Sequence, residues 1–201
     1  MHIKITILFF CFLPLFTLAE VDSKNFTSFK TFSANGHLQA VIEIPAGTNK
    51  KIEFDYDTNE FKADIEYGQT RIIDFLSYPG NYGFIPSTVM SKEIGGDGDS
   101  LDILVLSQSI ATGTVIEVNP IAVLNLIDGG EIDSKIIAVP INKNNRIITA
   151  TSYEELESKY PNIKNIIEIW FTSYKGKGIV ESDGWGNERV AIAEIEKWIQ
   201  N

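Results

Sequence analysis

Thiols and imidazoles are nearly absent from this 201-residue sequence. Its single cysteine, Cys11, and one of its two histidines, His2, fall in the first apolar run. Without that run only His37 is left. A cysteine nucleophile, a cysteine-rich zinc site and a disulfide are then excluded. A Ser-His-Asp triad would rest wholly on His37, and the sequence has no Gly-x-Ser-x-Gly elbow. Walker A and Gly-x-Gly-x-x-Gly phosphate loops are missing too. Positive charge is scarce: 17 Lys and Arg stand against 27 Asp and Glu, a formal charge of −10. That argues against unspecific nucleic-acid binding, which needs a basic surface. An anionic substrate stays open, because a local cluster of Lys, Arg and bound cation overrides net charge.

What remains is carboxylate, Lys, Arg and Tyr chemistry. The densest stretch is Gly96-Asp97-Gly98-Asp99-Ser100-Leu101-Asp102, directly before the apolar run Ile103–Leu106. This reads as an acidic loop feeding a buried strand. Close carboxylates repel, and buried ones are costly without a cation. Oxygen-only donors suit hard ions such as Mg²⁺ or Ca²⁺.

Residues 1–19 read as a secretory signal: Lys4, an apolar Ile5–Leu18 segment short of a membrane span, and small residues before a cut at Glu20. The alternative is an uncleaved anchor. A cleaved leader predicts an exported protein, periplasmic or secreted, with no stable membrane insertion. Residues 20–37 read as a polar spacer, and 38–201 as a single domain.

Strands are predicted at Leu38–Ile44 and at Lys51–Asp57. The latter turns at Thr58-Asn59 into Phe61–Tyr67. Period two puts Ile52, Phe54 and Tyr56 on one face, and Lys51, Glu53 and Asp55 on the other. Tyr78–Pro86 interleaves Pro and Gly with aromatics, which predicts an ordered loop. Two short strands are expected around Asn119-Pro120, then a second acidic loop at Asp128–Lys135, then a strand at Ile136–Val139. The last third is helical. One helix starts at a Ser152 capping box, one follows Asn162 with an apolar stripe from Ile163 to Tyr174, and one follows Asn187. In the last, Val190, Ala193, Ile195 and Trp198 are expected inward. Strands followed by helices mean α+β, with an antiparallel, barrel-like sheet.

Two acidic loops at strand ends, a polar strand face, Arg71, an aromatic loop and a Tyr-Lys pair suit metal-assisted phosphoryl transfer to water. The acids would hold divalent ions, while Lys, Arg and Tyr would bind polyanion oxygens.

From about residue 38 to 176 the chain resembles the family I soluble inorganic pyrophosphatases. The resemblance lies in Val41–Pro45, Lys51-Ile52-Glu53, Arg71, Tyr78–Pro86, Asp97–Asp102, Asp128 with Asp133 and Lys135, and Tyr174-Lys175. It implies a five-stranded OB-like barrel with peripheral helices, and Mg²⁺-dependent hydrolysis of inorganic diphosphate to two orthophosphates. By position Asp97, Asp102 and Asp133 are ligands of the first metal, with Asp102 bridging to the second. Asp99 is the general base. Asp128 and Asp133 take metal arriving with substrate, assisted by Glu43 and Glu53. Lys51, Arg71, Tyr82, Tyr174 and Lys175 match phosphate-binding positions, and Tyr78 and Lys135 second-shell or site-lining ones. A homo-oligomer, a hexamer by resemblance, is the expected assembly.

Two positions depart from the pattern. Ser100 stands where Pro or Glu is usual, and its freer φ predicts a looser loop. Gly129 stands where relatives often carry an acid. A cytoplasmic site would follow family analogy; the leader argues for export and for phosphate scavenging. The rival readings are an extracellular Ca²⁺-binding module and an inactive OB-type binding domain. The first lacks an acid at Leu101 and Gln108, where an EF-hand loop needs one.

Overall fold

The computed structural model describes residues 24–200. The leader assigned to residues 1–19 lies outside the described residues. Among the described residues, no helix is long and apolar enough to cross a membrane.

Strand β1 is Leu38–Ile44, and β2 (Ile52–Asp55) pairs with β3 (Glu60–Ala63) as a hairpin. A second, two-residue hairpin joins β4 (Ile65–Glu66) to β5 (Gln69–Thr70). Then come β6 (Asn81–Phe84), β7 (Asp102–Val105), β8 (Val115–Asp128), β9 (Glu131–Ile132) and β10 (Lys135–Pro140). Helices α1 (Tyr153–Lys159) and α2 (Pro161–Ser173) precede β11 (Val180–Asn187), and α3 (Glu188–Trp198) closes the chain. The fold is thus α+β, as expected.

The main sheet has seven strands, with β1, β6, β7, β10, β8 and β11 side by side and β9 on β8. Strand β1 also pairs β8, so the sheet curls back on itself. It is not evenly wound round one axis. One expectation needs correcting: the sheet is not wholly antiparallel, because β10 runs parallel to β7. That pair sets Lys135 opposite Asp102. A parallel register therefore brings the second acidic segment to the first.

Alternation in the central strands fills two layers. Leu104, Ile137 and Val139 face α1 and α2, meeting Leu156, Ile167, Trp170 and Phe171. Ile103, Val105, Ile136 and Ala138 face α3, meeting Ala191, Ile195 and Trp198. A sheet covered on both faces needs continuous apolar runs, which is why β7 and β10 read that way in sequence.

Several local expectations change. Tyr78–Pro86 is not all loop; it contains β6, buried throughout. Its Gly83 is obligatory, since a Cβ there would stand 1.9 Å from the Val41 carbonyl oxygen. Residues 115–128 form one strand instead of two. Its register against β10 slips beside Pro120, a bulge that absorbs the missing N–H. Pro161 opens α2 at its first position, where a missing N–H costs nothing, and Asn162 is not the cap. In α3, Ala191 turns inward, while Val190 and Ala193 turn outward. Strand β11 has no counterpart among the expected elements. Nor is the 24–37 segment merely polar spacer, because Phe26 packs against Phe54 and Phe61.

Candidate active site

The turn between β8 and β9 illustrates how sequence sets the site. Gly129 and Gly130 both have positive φ, 59° and 95°. Two successive left-handed residues make the tight reversal that joins paired antiparallel strands. Asp128 is held at one end of it, and Asp133 follows β9 on the other side. The acidic loop reaches the same place from β7, whose first residue is Asp102. Asn81 fixes the neighbouring loops from within. Its Oδ1 accepts from Ala46 N (3.0 Å) and Ile110 N (2.7 Å).

These elements enclose a cavity of about 310 Å³. All the acids expected to bind metal line it: Glu43, Glu53, Asp97, Asp102, Asp128 and Asp133. So does Asp99. Lys51, Arg71, Tyr82, Lys135, Tyr174 and Lys175 complete the wall. Tyr78 alone of the expected residues lies one layer back. It is buried against Tyr82 and Trp170, at ring separations of 5.2 and 4.5 Å.

Four of the cavity acids, Glu53, Asp102, Asp128 and Asp133, are paired with lysines. Buried Lys135 donates through Nζ to Asp102 Oδ2 and to Asp133 Oδ1. Tyr82 Oη donates to the same Asp102 Oδ2 at 2.5 Å. Lys175 pairs with Asp128, and Lys51 with Glu53 at 2.9 Å. Arg71, also on the wall, has its Nη1 3.1 Å from Asp64 Oδ2. Asp97 Oδ1 accepts the Asp99 N–H at 2.9 Å.

Crowding and burial set the protonation tendencies. Burial pushes the Asp97 carboxyl up, and Asp99 and Asp102 add to it. Asp99 rises for the same first reason, reinforced by Asp102 and Glu53. Asp133 also rises through burial, with Asp102 working against the pull of Lys135. Glu43 goes furthest: burial lifts it to about 8. Burial works against a charged Lys135, yet Asp102 and Asp133 outweigh it and hold the ammonium protonated.

Among the described residues no three acids already stand in a metal-ligand cluster. The donors are nonetheless carboxylate oxygens, the set that hard cations take. The Lys135 ammonium between Asp102 and Asp133 is a cation already seated among them, so the pocket accommodates positive charge.

Four further lining residues are not among the expected ones: Phe54, Tyr56, Phe84 and Ser100, the last of which departs from the family pattern. Tyr56 was placed with Ile52 and Phe54 on the face away from Lys51 and Glu53. Both Phe54, within β2, and Tyr56, just past its end at Asp55, line the same cavity as Lys51 and Glu53, so the two faces of this short strand are not separated by the site.

A family model described as inorganic pyrophosphatase matches residues 40–201. The inorganic pyrophosphatase of Synechocystis sp. is 36% identical over 170 residues, covering 83% of this chain and 92% of its own. That of Saccharolobus solfataricus is 36% identical over 172 residues, covering 83% and 92%. The solved inorganic pyrophosphatase of Thermus thermophilus superposes with a TM-score of 0.73 at 31% identity, covering 88% of this chain and 97% of that one.

Proposed function

The chain belongs to the inorganic pyrophosphatases, hydrolases by that membership, and from that premise we propose how its cavity cleaves diphosphate with Mg²⁺ as cofactor. The observation that supports this is one cavity holding both a carboxylate set for hard cations and a Lys, Arg and Tyr set for phosphate oxygens. We read strands β1, β6, β7, β10 and β8 as the OB-like five-stranded barrel on which that cavity is built.

Asp97, Asp102, Asp128 and Asp133 would hold the ions, with Glu43 and Glu53 at the margin. When bound, Mg²⁺ supplies positive charge against the diphosphate oxygens and lowers the pKa of nearby water. Lys51, Arg71, Tyr82, Tyr174 and Lys175 grip the substrate oxygens. Arg71 exchanges Asp64 for phosphate, which suits a guanidinium fork. Lys135 keeps Asp102 and Asp133 together, and Tyr78 backs Tyr82. Asp99 takes the proton of the attacking water on a carboxylate oxygen. That water's oxygen then bonds to phosphorus as the bridging P–O bond breaks. In the metal-free cavity burial raises the Asp99 carboxyl, with Asp102 and Glu53 adding to it.

Phosphate release from diphosphate by the full chain tests this. Release should require Mg²⁺ and stop on chelation; equal release after chelation would overturn the cofactor. Residues 1–19 further suggest an exported enzyme that scavenges phosphate. Cell fractionation should find it outside the cytosol in shortened form, whereas a full-length cytosolic protein would contradict export. We further take it to assemble with its own copies and to have no nucleic-acid partner.

A further inference from the structure

Tyr56 and Ser100 meet across the cavity wall. Their hydroxyl oxygens are 2.5 Å apart, between residues 44 positions apart in sequence. Ser100 Oγ also lies 3.0 Å from the Thr88 carbonyl oxygen. A serine hydroxyl has one proton, and a carbonyl can only accept. Ser100 therefore donates to Thr88, and Tyr56 donates to Ser100. Thr88 is itself fixed: its Oγ1 donates to Ile85 O at 2.6 Å and accepts from Leu101 N at 3.0 Å. The Tyr56 ring is held edge-on by Phe54, at a centroid distance of 4.8 Å.

Asp99 is the neighbour this chain of bonds leaves free at its tip. Its backbone oxygen accepts from Met90 N at 2.7 Å. Its carboxylate, though, has no hydrogen bond or ion pair to it among the described residues. Where it points is set by the backbone of Asp99 and Ser100. Ser100 was expected to leave this loop looser than a proline would. The structure gives it two side-chain bonds instead, one of them to the hairpin that carries Lys51 and Glu53.

We infer that the Tyr56–Ser100 hydrogen bond is a positioning clamp. It fixes the acidic loop to the β2–β3 hairpin, so that Asp99 stays aimed into the cavity beside the phosphate-binding groups. Tyr56 and Ser100 are thus positioning residues that act through Asp99, and the inference rests on Asp99 being the base. Small displacements of a reacting group are expensive in rate.

The test uses the full chain with Mg²⁺ and diphosphate. Tyr56→Phe removes one oxygen and leaves the ring packing intact. It should lower kcat roughly three- to tenfold, the size of one lost hydrogen bond, with KM and thermal midpoint unchanged. Ser100→Ala should lower kcat at least as far and, because it also cuts the bond to Thr88, lower the thermal midpoint, and Ser100→Thr, which keeps a hydroxyl, should restore most of both. In the double variant Tyr56→Phe should add nothing to Ser100→Ala, since both break one chain. Unchanged kcat in Tyr56→Phe, additive losses, or a Tyr56→Phe loss that tracks a falling thermal midpoint would each overturn the clamp. Asp99→Asn, run in parallel, separates the two ideas. If it stays active, the base assignment fails first. If it is inert while Tyr56→Phe is fully active, only the clamp fails.

Discussion

Glu43 lies buried in β1, its Oε1 accepting the Phe54 N–H at 2.7 Å. Burial lifts its carboxyl from 4.5 to about 8, with Asp102 adding to the rise. An acid raised by folding binds its proton more tightly in the folded chain than in the unfolded one. Between about pH 4.5 and pH 8 the folded chain holds a proton that the unfolded chain has released, so stability falls as pH rises through that window. The penalty is absent below it and complete above it, with a ceiling of roughly 4–5 kcal/mol. Glu43→Gln removes the charge and keeps the bond to Phe54. In metal-free protein it should gain roughly 2–4 kcal/mol at about pH 9 and little at about pH 4.5. Urea unfolding at both pH values checks this; an equal gain at both would contradict it.

At the scale of elements, β6 is the strand most dependent on a single residue. A Cβ on Gly83 would collide with the backbone of Val41 in β1. A Cβ on Gly129 meets nothing within 4 Å and suffers only its φ of 59°. Gly83→Ala should therefore cost about 3 kcal/mol or more, and Gly129→Ala about 1–2 kcal/mol. Chemical denaturation of both variants reads the difference directly; the reverse order would mean that β1 and β6 do not pack as described. Elements whose signal is local were legible. The apolar runs of β1, β7 and β10 are buried on both faces, and the Ser152 and Asn187 caps sit where the helices begin. Strand β11 was not legible. Glu181, Ser182 and Asp183 face solvent, and the strand is held by its pairing with β8, which leaves no periodic mark in the sequence. Pro120 misled in the opposite direction, because the bulge beside it is a property of two strands together.

In the molecule as a whole, the cavity draws on residues from Glu43 to Lys175. Individual acids were visible as Asp97–Asp102 and Asp128–Asp133, and the resemblance supplied their company. Lys51 and Glu53, two apart, were legible as neighbours on one face, but the long-range pairing partners were not. Lys135 meets Asp102 only through the parallel β7–β10 register, and Tyr56 meets Ser100 only through tertiary packing. Both contacts span more than 30 residues. In the proposed mechanism these residues converge on one act, the removal of a proton from water by Asp99. Steady-state phosphate release from diphosphate by Asp99→Asn, beside the unaltered chain at saturating Mg²⁺, tests that act most directly. A lost general base should lower kcat by about 10²–10⁴ with KM within a few-fold. A variant that keeps kcat within twofold of the unaltered chain would contradict the role of Asp99 and the proton path built on it.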